Sequence, residues 1–484
     1  MTHFTPPAGS IPTLEVPTLE GVRSVHLIGI GGAGMRNLAR LLLARGTSIS
    51  GSDLKDSKGL RELADAGADV WVGHDASRLS EVDVVVISSA IGEANPELIG
   101  ARDRGIPVWA RQQALAALTV GHQAIAIAGT HGKTTTTSMV GTVLERAGLD
   151  PSYLIGGDLN ESGSGARSGA GDPFVFEADE SDGSFLLTRP SLGVITNVEV
   201  DHVDFYTEGR EQIEAAFADF AGRSEHVVAC GDDPGVRRVL SMAGVEAVTY
   251  GVDPGNDVRL TVDALGPAGA RGSVTSDRAG VTAIHLQVDG VHNLLNATAA
   301  VGVGDVFGID RAVAAEALAK FGGVHRRFEH RGTARGADFF DDYGHTPTEM
   351  SVTIETARRR EPTRLIALVQ PHRYTRVQAL WRELGASVAD ADVVLITDVY
   401  GASQQPIPGV TGQLVVDGVR AVSPSTEVVY LPHRRDVVDH LDREVRPGDL
   451  VVTMGCGDVW MLGDAAIERI RESTPGTLRG PKDG

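Results

Sequence analysis

The run Gly129-Thr130-His131-Gly132-Lys133-Thr134-Thr135, entered from the apolar stretch Ala124 to Ala128, has the residue types and spacing that hold a nucleotide by its phosphates. Glycines let backbone N–H groups close around phosphate oxygens, and a helix beginning at the lysine turns its positive end to them. Lys133 then reaches the β- and γ-phosphates and the Thr134 hydroxyl can ligate Mg²⁺, so ATP is the expected ligand. The spacing Gly-x-x-Gly-Lys-Thr is shorter than the usual phosphate loop. The alternative is an ordinary glycine turn ahead of a helix, and the complete pattern with its strand in front favours the phosphate site.

A second glycine loop, with Gly29, Gly31, Gly32 and Gly34 in Gly-Ile-Gly-Gly-Ala-Gly, fits the dinucleotide fingerprint. The next apolar stretch ends at Ser52-Asp53, where an acidic residue meets a ribose hydroxyl in such sites. Glycines serving only close packing are the competing explanation. Two loops of this kind on one chain imply two phosphate-bearing ligands, one consumed and one modified.

Carboxylates gather behind the ATP loop. Glu177-Ala-Asp179-Glu180-Ser-Asp182 and Asn197-Val-Glu199-Val-Asp201-His202 each end a strand-like stretch, where α/β phosphate-binding proteins keep metal ligands. Any one of them alone reads equally well as a helix cap. Two such strand ends in succession make Mg²⁺ ligation by Glu180 and His202 the better reading. His292 and Asn296 stand four apart, on one helix face, with capping by His292-Asn293 as the alternative.

These sites need a large α/β frame, and the composition supplies it. A chain of 484 residues exceeds one core, so two or three domains are expected. A net charge of −20 argues against nucleic acid or an anionic membrane as partner. Two cysteines are too few for a disulfide framework or a thiolate metal site, and no targeting or membrane-length apolar run is evident, so a cytoplasmic location is expected.

Strand-like and helix-like stretches alternate in three blocks, expected at 1–120, 121–330 and 331–484. The first places parallel strands near 24–29, 47–51, 69–72, 83–87 and 106–108. The second places them near 174–178, 192–196, 226–229 and 247–250, with 253–290 as hairpin decoration. The third restarts at Asp338 and continues near 364–369, 392–396 and 449–453. The fold class is thus α/β with a Rossmann-like first domain, a phosphate-loop ATPase centre and a Rossmann-like third domain.

In this order the motifs resemble the Mur ligase family nearly end to end: Gly-Thr-His-Gly-Lys-Thr-Thr-Thr at 129–136, Glu-Ala-Asp-Glu-Ser-Asp at 177–182, Asn-Val-Glu-Val-Asp-His at 197–202, Gly-Val-His-Asn-Leu-Leu-Asn-Ala at 290–297 and Arg-Arg-Phe-Glu at 326–329. Gly-Ile-Gly-Gly-Ala-Gly-Met at 29–35, Gly-Ser-Asp at 51–53, Ser-Ser-Ala-Ile at 88–91, Asp-Asp-Tyr-Gly-His at 341–345 and Gln-Pro-His-Arg-Tyr-Thr-Arg at 370–376 narrow it further. The resemblance implies ATP- and Mg²⁺-dependent joining of L-alanine to the lactyl carboxylate of UDP-N-acetylmuramate through an acyl phosphate, a cytoplasmic step of peptidoglycan synthesis. It implies a UDP-sugar domain with Gly29, Gly31, Gly32, Gly34, Ser52, Asp53 and Ser89 at the ligand. A central domain would hold ATP, and a C-terminal domain would carry the amino acid and close over ATP.

Carried over residue by residue, Lys133 and Thr134 serve phosphates and metal, Glu180 and His202 complete the Mg²⁺ shell, and Asn293 and Asn296 lie against adenine. Arg327 and Asp342 would reach triphosphate and ribose, while Tyr343, His345, Arg373 and Arg376 would line the alanine and acyl-phosphate end. From charge alone, Arg373 and Arg376 read as a carboxylate or phosphate clamp or as a solvated basic turn, and an acidic chain favours the clamp. The sequence departs from the family's pattern at Arg36-Asn37, at Thr346, at Tyr400-Gly-Ala-Ser-Gln-Gln and at Cys456, where a small buried thiol suffices. The alternatives are a family member that recycles a whole tripeptide onto UDP-N-acetylmuramate, and a non-catalytic ATP and UDP-sugar sensor. Gly31-Gly32-Ala33-Gly34 disfavours the first, and intact Lys133, Glu180, His202 and His345 disfavour the second.

Overall fold

The computed structural model describes residues 16–79, 81–88, 90–156, 164–202, 205–277, 279–402 and 404–473. Contacts divide the chain into two units, the first running to Ala264 and over Gly269–Val324, the second taking Leu265–Ala268 and everything from His325. Three sheets carry the architecture, two of them in the first unit.

The first sheet is five-stranded and parallel, in the spatial order Asp69–Val72, Ser48–Asp53, Ser24–Ile28, Val84–Ile87, Val108–Ala110. All four residues of Val84–Ile87 are buried, as expected of a central strand with both faces covered. The order reverses beside Ser24–Ile28, so the Gly29 loop lies at the point where open α/β sheets bind ligands.

The second sheet has ten strands, and Gln123–Ala128 lies inside it between Leu192–Ile195 and Pro173–Glu177. That placement brings the phosphate loop and both acidic strand ends to one edge. The 253–290 stretch forms the expected hairpins, and they belong to the sheet itself. Val258–Ala264, Ala270–Ser276 and Gly280–Leu286 extend the same sheet, the first parallel to Val248–Gly251 and the rest antiparallel, because alternating buried residues such as Leu260, Val274 and Ile284 need the central core.

The two sheets of the first unit share one apolar cluster, which runs from Leu38 and Leu42 through Ala117 to Phe185 and Phe217. Asn37 is fully buried on helix Ala33–Ala44 and donates through Nδ2 to the Ile155 carbonyl at 3.1 Å. Arg36 covers Gly59 on the neighbouring helix Lys58–Asp65. The unusual Arg36-Asn37 pair is therefore explained by packing.

The second unit carries a six-stranded sheet in the order Glu329–Ala334, Ala337–Asp342, Asp449–Met454, Arg364–Val369, Val393–Ile396, Glu427–Tyr430. Only the first pair is antiparallel. The border expected at 330 falls inside Glu329–Ala334, since that strand has its only partner in Ala337–Asp342 among the described residues.

Candidate active site

The helix Lys133–Arg146 opens with four threonines, which are poor helix formers because their branched Cβ crowds the preceding turn. Burial overrides propensity: Thr136 and Thr137 are fully buried, and the Ser138 hydroxyl folds back on the Thr134 carbonyl at 2.7 Å. Gly132 precedes the helix at φ 80° and gives no side-chain cap, leaving the first-turn N–H groups to an anion. A Cβ there would lie 2.8 Å from Asn296 Oδ1, so only glycine lets the loop pack this tightly.

The loop is braced from the strand end at 196–199. His131 N–H donates to Asn197 Oδ1 at 2.8 Å, and the His131 carbonyl accepts from Thr196 Oγ1 at 2.6 Å and Asn197 Nδ2 at 3.0 Å. His131 Nε2 meets Glu199 at 3.2 Å. Thr130 exchanges hydrogen bonds with the Glu199 backbone, accepting its N–H at 2.9 Å. Gly129, at φ 133°, has no room for a Cβ beside Thr196. These contacts fix the phosphate cradle before any ligand arrives.

Lys133 Nζ lies 3.0 and 2.8 Å from the two Glu180 oxygens and 2.6 Å from the Gly129 carbonyl. Burial alone would depress the lysine pKa, but Glu180 and Asp179 overcome it and hold the ammonium above its usual range. Glu180 is positioned by Tyr206, whose hydroxyl donates to its carbonyl at 2.6 Å. His202 Nε2 stands 3.8 Å from Glu180 Oε1, on a backbone held at φ 52°, and its buried Nδ1 has no partner among the described residues. Thr134 is nearly buried at the same place. Glu180 and Thr134 offer the oxygens a hard cation takes, so they fit Mg²⁺, with His202 beside them.

Asn296, expected to lie against adenine, packs at the phosphate loop. Its Oδ1 accepts from Thr136 Oγ1 at 3.1 Å beneath Gly132, which sets this amide at the phosphate end as a brace. Asn293 Nδ2 donates to the Asp289 carbonyl at 2.7 Å and secures the start of helix Val291–Val306.

In the first sheet, Gly31 N–H donates to Asp53 Oδ2 at 3.0 Å, and Lys55 N–H to Asp53 Oδ1 at 3.1 Å. Asp53 thus shapes the glycine loop, and a Cβ at Gly31 would clash with its carboxylate. Gly29 turns at φ 81° against Ser88. Ser52, expected at the UDP-sugar, is fully buried with its hydroxyl engaged by Glu97 and His74. Ser89 lies outside the described residues.

The second unit gathers its predicted residues at one sheet edge. Asp342 accepts from Phe328 N–H at 2.8 Å and Gly344 N–H at 2.7 Å, joining the Arg-Arg-Phe segment to the Asp-Tyr-Gly-His turn. Burial raises its pKa against the pull of Arg327. Arg327 extends over the Tyr343 ring, 5.2 Å from its centre, with its side chain partly accessible. His345 Nδ1 lies 3.1 Å from the Tyr343 carbonyl, which can only accept, so Nδ1 carries a proton. Arg376 is nearly buried and donates to His372 Nδ1 at 3.0 Å. Arg373 has φ 63°, and Arg326 and Phe328 share that left-handed region, the kind of backbone strain found where geometry serves a site.

Sequence comparison matches residues 24–123 to the Mur ligase family, catalytic domain, 127–304 to the Mur ligase middle domain and 326–457 to the Mur ligase, glutamate ligase domain. The chain belongs to the Mur ligase family. This Mur ligase is 44% identical over 92% of its length to the UDP-N-acetylmuramate–L-alanine ligase of Nitratidesulfovibrio vulgaris strain DP4, covering 98% of that protein. It is 45% identical to the ligase of the same name from Thermobifida fusca strain YX, over 92% of this chain and 96% of that one. A solved UDP-N-acetylmuramate-alanine ligase from Thermotoga maritima superimposes with a TM-score of 0.79 at 27% identity, covering 93% of this chain and all of that one.

Two residues packed against these candidate site residues, Arg111 and Tyr206, fall outside the motifs. Arg111 starts helix Arg111–Thr119, fills the space a Cβ on Gly34 would take and stands 4.0 Å from Asp179. An arginine just after the last parallel strand was the available signal. Tyr206 works behind Glu180, and nothing in its spacing marks it; Arg326 lies inside the Arg-Arg-Phe-Glu motif without an assigned role, and its Nε stands 2.9 Å from Asp341.

Proposed function

We propose that this Mur ligase joins L-alanine to the lactyl carboxylate of UDP-N-acetylmuramate, converting ATP to ADP and phosphate in the cytoplasm. The observation that carries it is the Lys133–Glu180 pair on a preformed phosphate cradle, in a chain 44% identical over 92% of its length to L-alanine ligases. In this reading 1–120 takes the UDP-sugar, the central segment to about 324 takes ATP, and the remainder takes the amino acid.

Transfer of a phosphoryl group to a carboxylate brings anion to anion, so positive charge must be in place beforehand. Lys133 and the first-turn N–H groups of its helix hold the triphosphate. Thr134, Glu180 and His202 would hold Mg²⁺, which supplies charge neutralisation when bound. Arg111 and the Asp53-shaped glycine loop orient the UDP-sugar, fixing the distance between carboxylate and phosphate. The carboxylate oxygen then bonds to the γ-phosphorus as ADP leaves. Arg327, Arg373 and Arg376 balance the acyl phosphate, and His345 Nε2 accepts a proton as the alanine nitrogen attacks the acyl carbon and phosphate departs.

Phosphate release requiring ATP, UDP-N-acetylmuramate and L-alanine together, with product mass raised by one alanyl residue, tests the reading. Release with a tripeptide but not with alanine would select the recycling enzyme, and no release under any combination would select the sensor.

A further inference from the structure

The loops after three adjacent parallel strands each deliver one metal-binding side chain to the same sheet edge. His345 follows Ala337–Asp342, Cys456 follows Asp449–Met454 and His372 follows Arg364–Val369, with Asp449–Met454 paired between the other two. Because the strands run in register, the donors converge. One ligand atom from each lies within 4.8 Å of the others.

We infer that His345, His372 and Cys456 form a site for a borderline-soft divalent cation of the zinc type, and that filling it shuts the enzyme off. Two imidazoles and a thiolate are a zinc donor set, whereas Mg²⁺ takes oxygen. With metal–nitrogen bonds near 2.0 Å and metal–sulfur near 2.3 Å, tetrahedral donors stand about 3.3–3.5 Å apart, so the three side chains close by at most about 1.5 Å through rotation. On binding, the Sγ–H bond breaks, the proton goes to solvent and an Sγ–metal bond forms. Ligation of His345 through Nε2 would leave its Nδ1–H on the Tyr343 carbonyl as the outer bond that metal-bound histidines usually make.

His372 supplies the inhibitory link. Arg376 donates to its Nδ1, which puts the ring proton on Nε2. Ligation through Nδ1 displaces the guanidinium directly. Ligation through Nε2 moves the proton to Nδ1, where it confronts the arginine N–H, and the guanidinium must again leave. A bound metal therefore occupies His345 and dislodges Arg376 together. This inhibitory arm rests on the reaction proposed above; the binding arm does not.

The full chain, stripped with chelator, is titrated with Co²⁺ and followed for the thiolate-to-cobalt charge-transfer band in the near ultraviolet. Wild type is expected to show the band, with Cys456→Ala and Cys456→Ser losing it while keeping the wild-type circular dichroism. Cobalt at Thr134, Glu180 and His202 gives no such band, having no sulfur. Arg376→Ala should bind Co²⁺ more tightly, because a competing cation is gone. In turnover assays with excess Mg²⁺, Zn²⁺ should inhibit wild type and inhibit Cys456→Ala at least about tenfold more weakly, with the zinc-free activity retained in the variant. Absence of the band in wild type, or its persistence in Cys456→Ala, overturns the site. A band without zinc inhibition overturns the inhibitory arm alone, and a band in a protein with no ligase activity leaves the site standing while the reaction reading falls.

Discussion

Lys133 and Glu180 form a closed ion pair in which the lysine that should grip phosphates is held, 2.8 and 3.0 Å away, by the carboxylate that should grip the metal. The carboxylate holds the ammonium charged in a nearly buried place, and Mg²⁺ with ATP is expected to exchange for this contact. Lys133→Ala should abolish turnover and leave UDP-sugar affinity nearly unchanged, because the sugar loop lies on a different sheet. It should also strand the Glu180 carboxylate, 3% exposed, at a cost of about 3–5 kcal/mol. Lys133→Ala/Glu180→Gln should recover much of that stability and none of the activity. Calorimetric UDP-sugar titration and denaturant unfolding read both effects, and a large loss of sugar affinity in a folded Lys133→Ala protein would overturn the division of sites.

Asp53 shapes the first glycine loop through Gly31 N–H. Asp53→Ala should raise the UDP-sugar KM by the equivalent of about 1–3 kcal/mol with the ATP KM unchanged. Asp53→Asn retains an acceptor for Gly31 and should recover the part due to loop shape. An unchanged UDP-sugar KM in Asp53→Ala reduces the residue to a turn former.

Arg376 is expected to lower kcat far more than nucleotide affinity when replaced by alanine. Trapping the acyl phosphate with hydroxylamine before alanine is added separates the steps. Intermediate formed at the wild-type rate in Arg376→Ala would show that the arginine does not serve phosphoryl transfer.

Glu97 is fully buried and accepts from Trp71 Nε1 at 3.2 Å and Asp75 N–H at 3.0 Å, with His26 and Ser52 on its other oxygen. Burial pushes its pKa up, and the hydrogen bonds from His26, Ser52 and Asp75 outweigh it, lowering the value from 4.5 to about 2. A carboxyl held below its unfolded value adds stability above pH 4.5 that disappears as pH falls through about 2. The loss amounts to about 3 kcal/mol. Urea unfolding at stepped pH should show this slope in wild type and lack it in Glu97→Gln; equal slopes would remove Glu97 from the acid response.

The two glycine loops, the acidic strand ends and the central strands of all three sheets were legible in the sequence because they are local, whereas short or edge strands such as Ser152–Leu154, Ala166–Arg167, Glu329–Ala334 and Glu427–Tyr430 were not. A strand, a turn and a helix start are encoded within about fifteen consecutive residues, and phosphate chemistry demands that glycine, lysine and threonine follow one another. Side-chain direction was not legible. Ser52 and Asp53 are neighbours on one strand, and the pleat turns the first into the buried Glu97 network and leaves the second at the loop. Asn296 fits a base contact by motif, and the packing of its helix on Lys133–Arg146 sets it beneath Gly132. The sequence alone also could not join His345, His372 and Cys456, which stand far apart in the chain and meet only because their three strands pair in register.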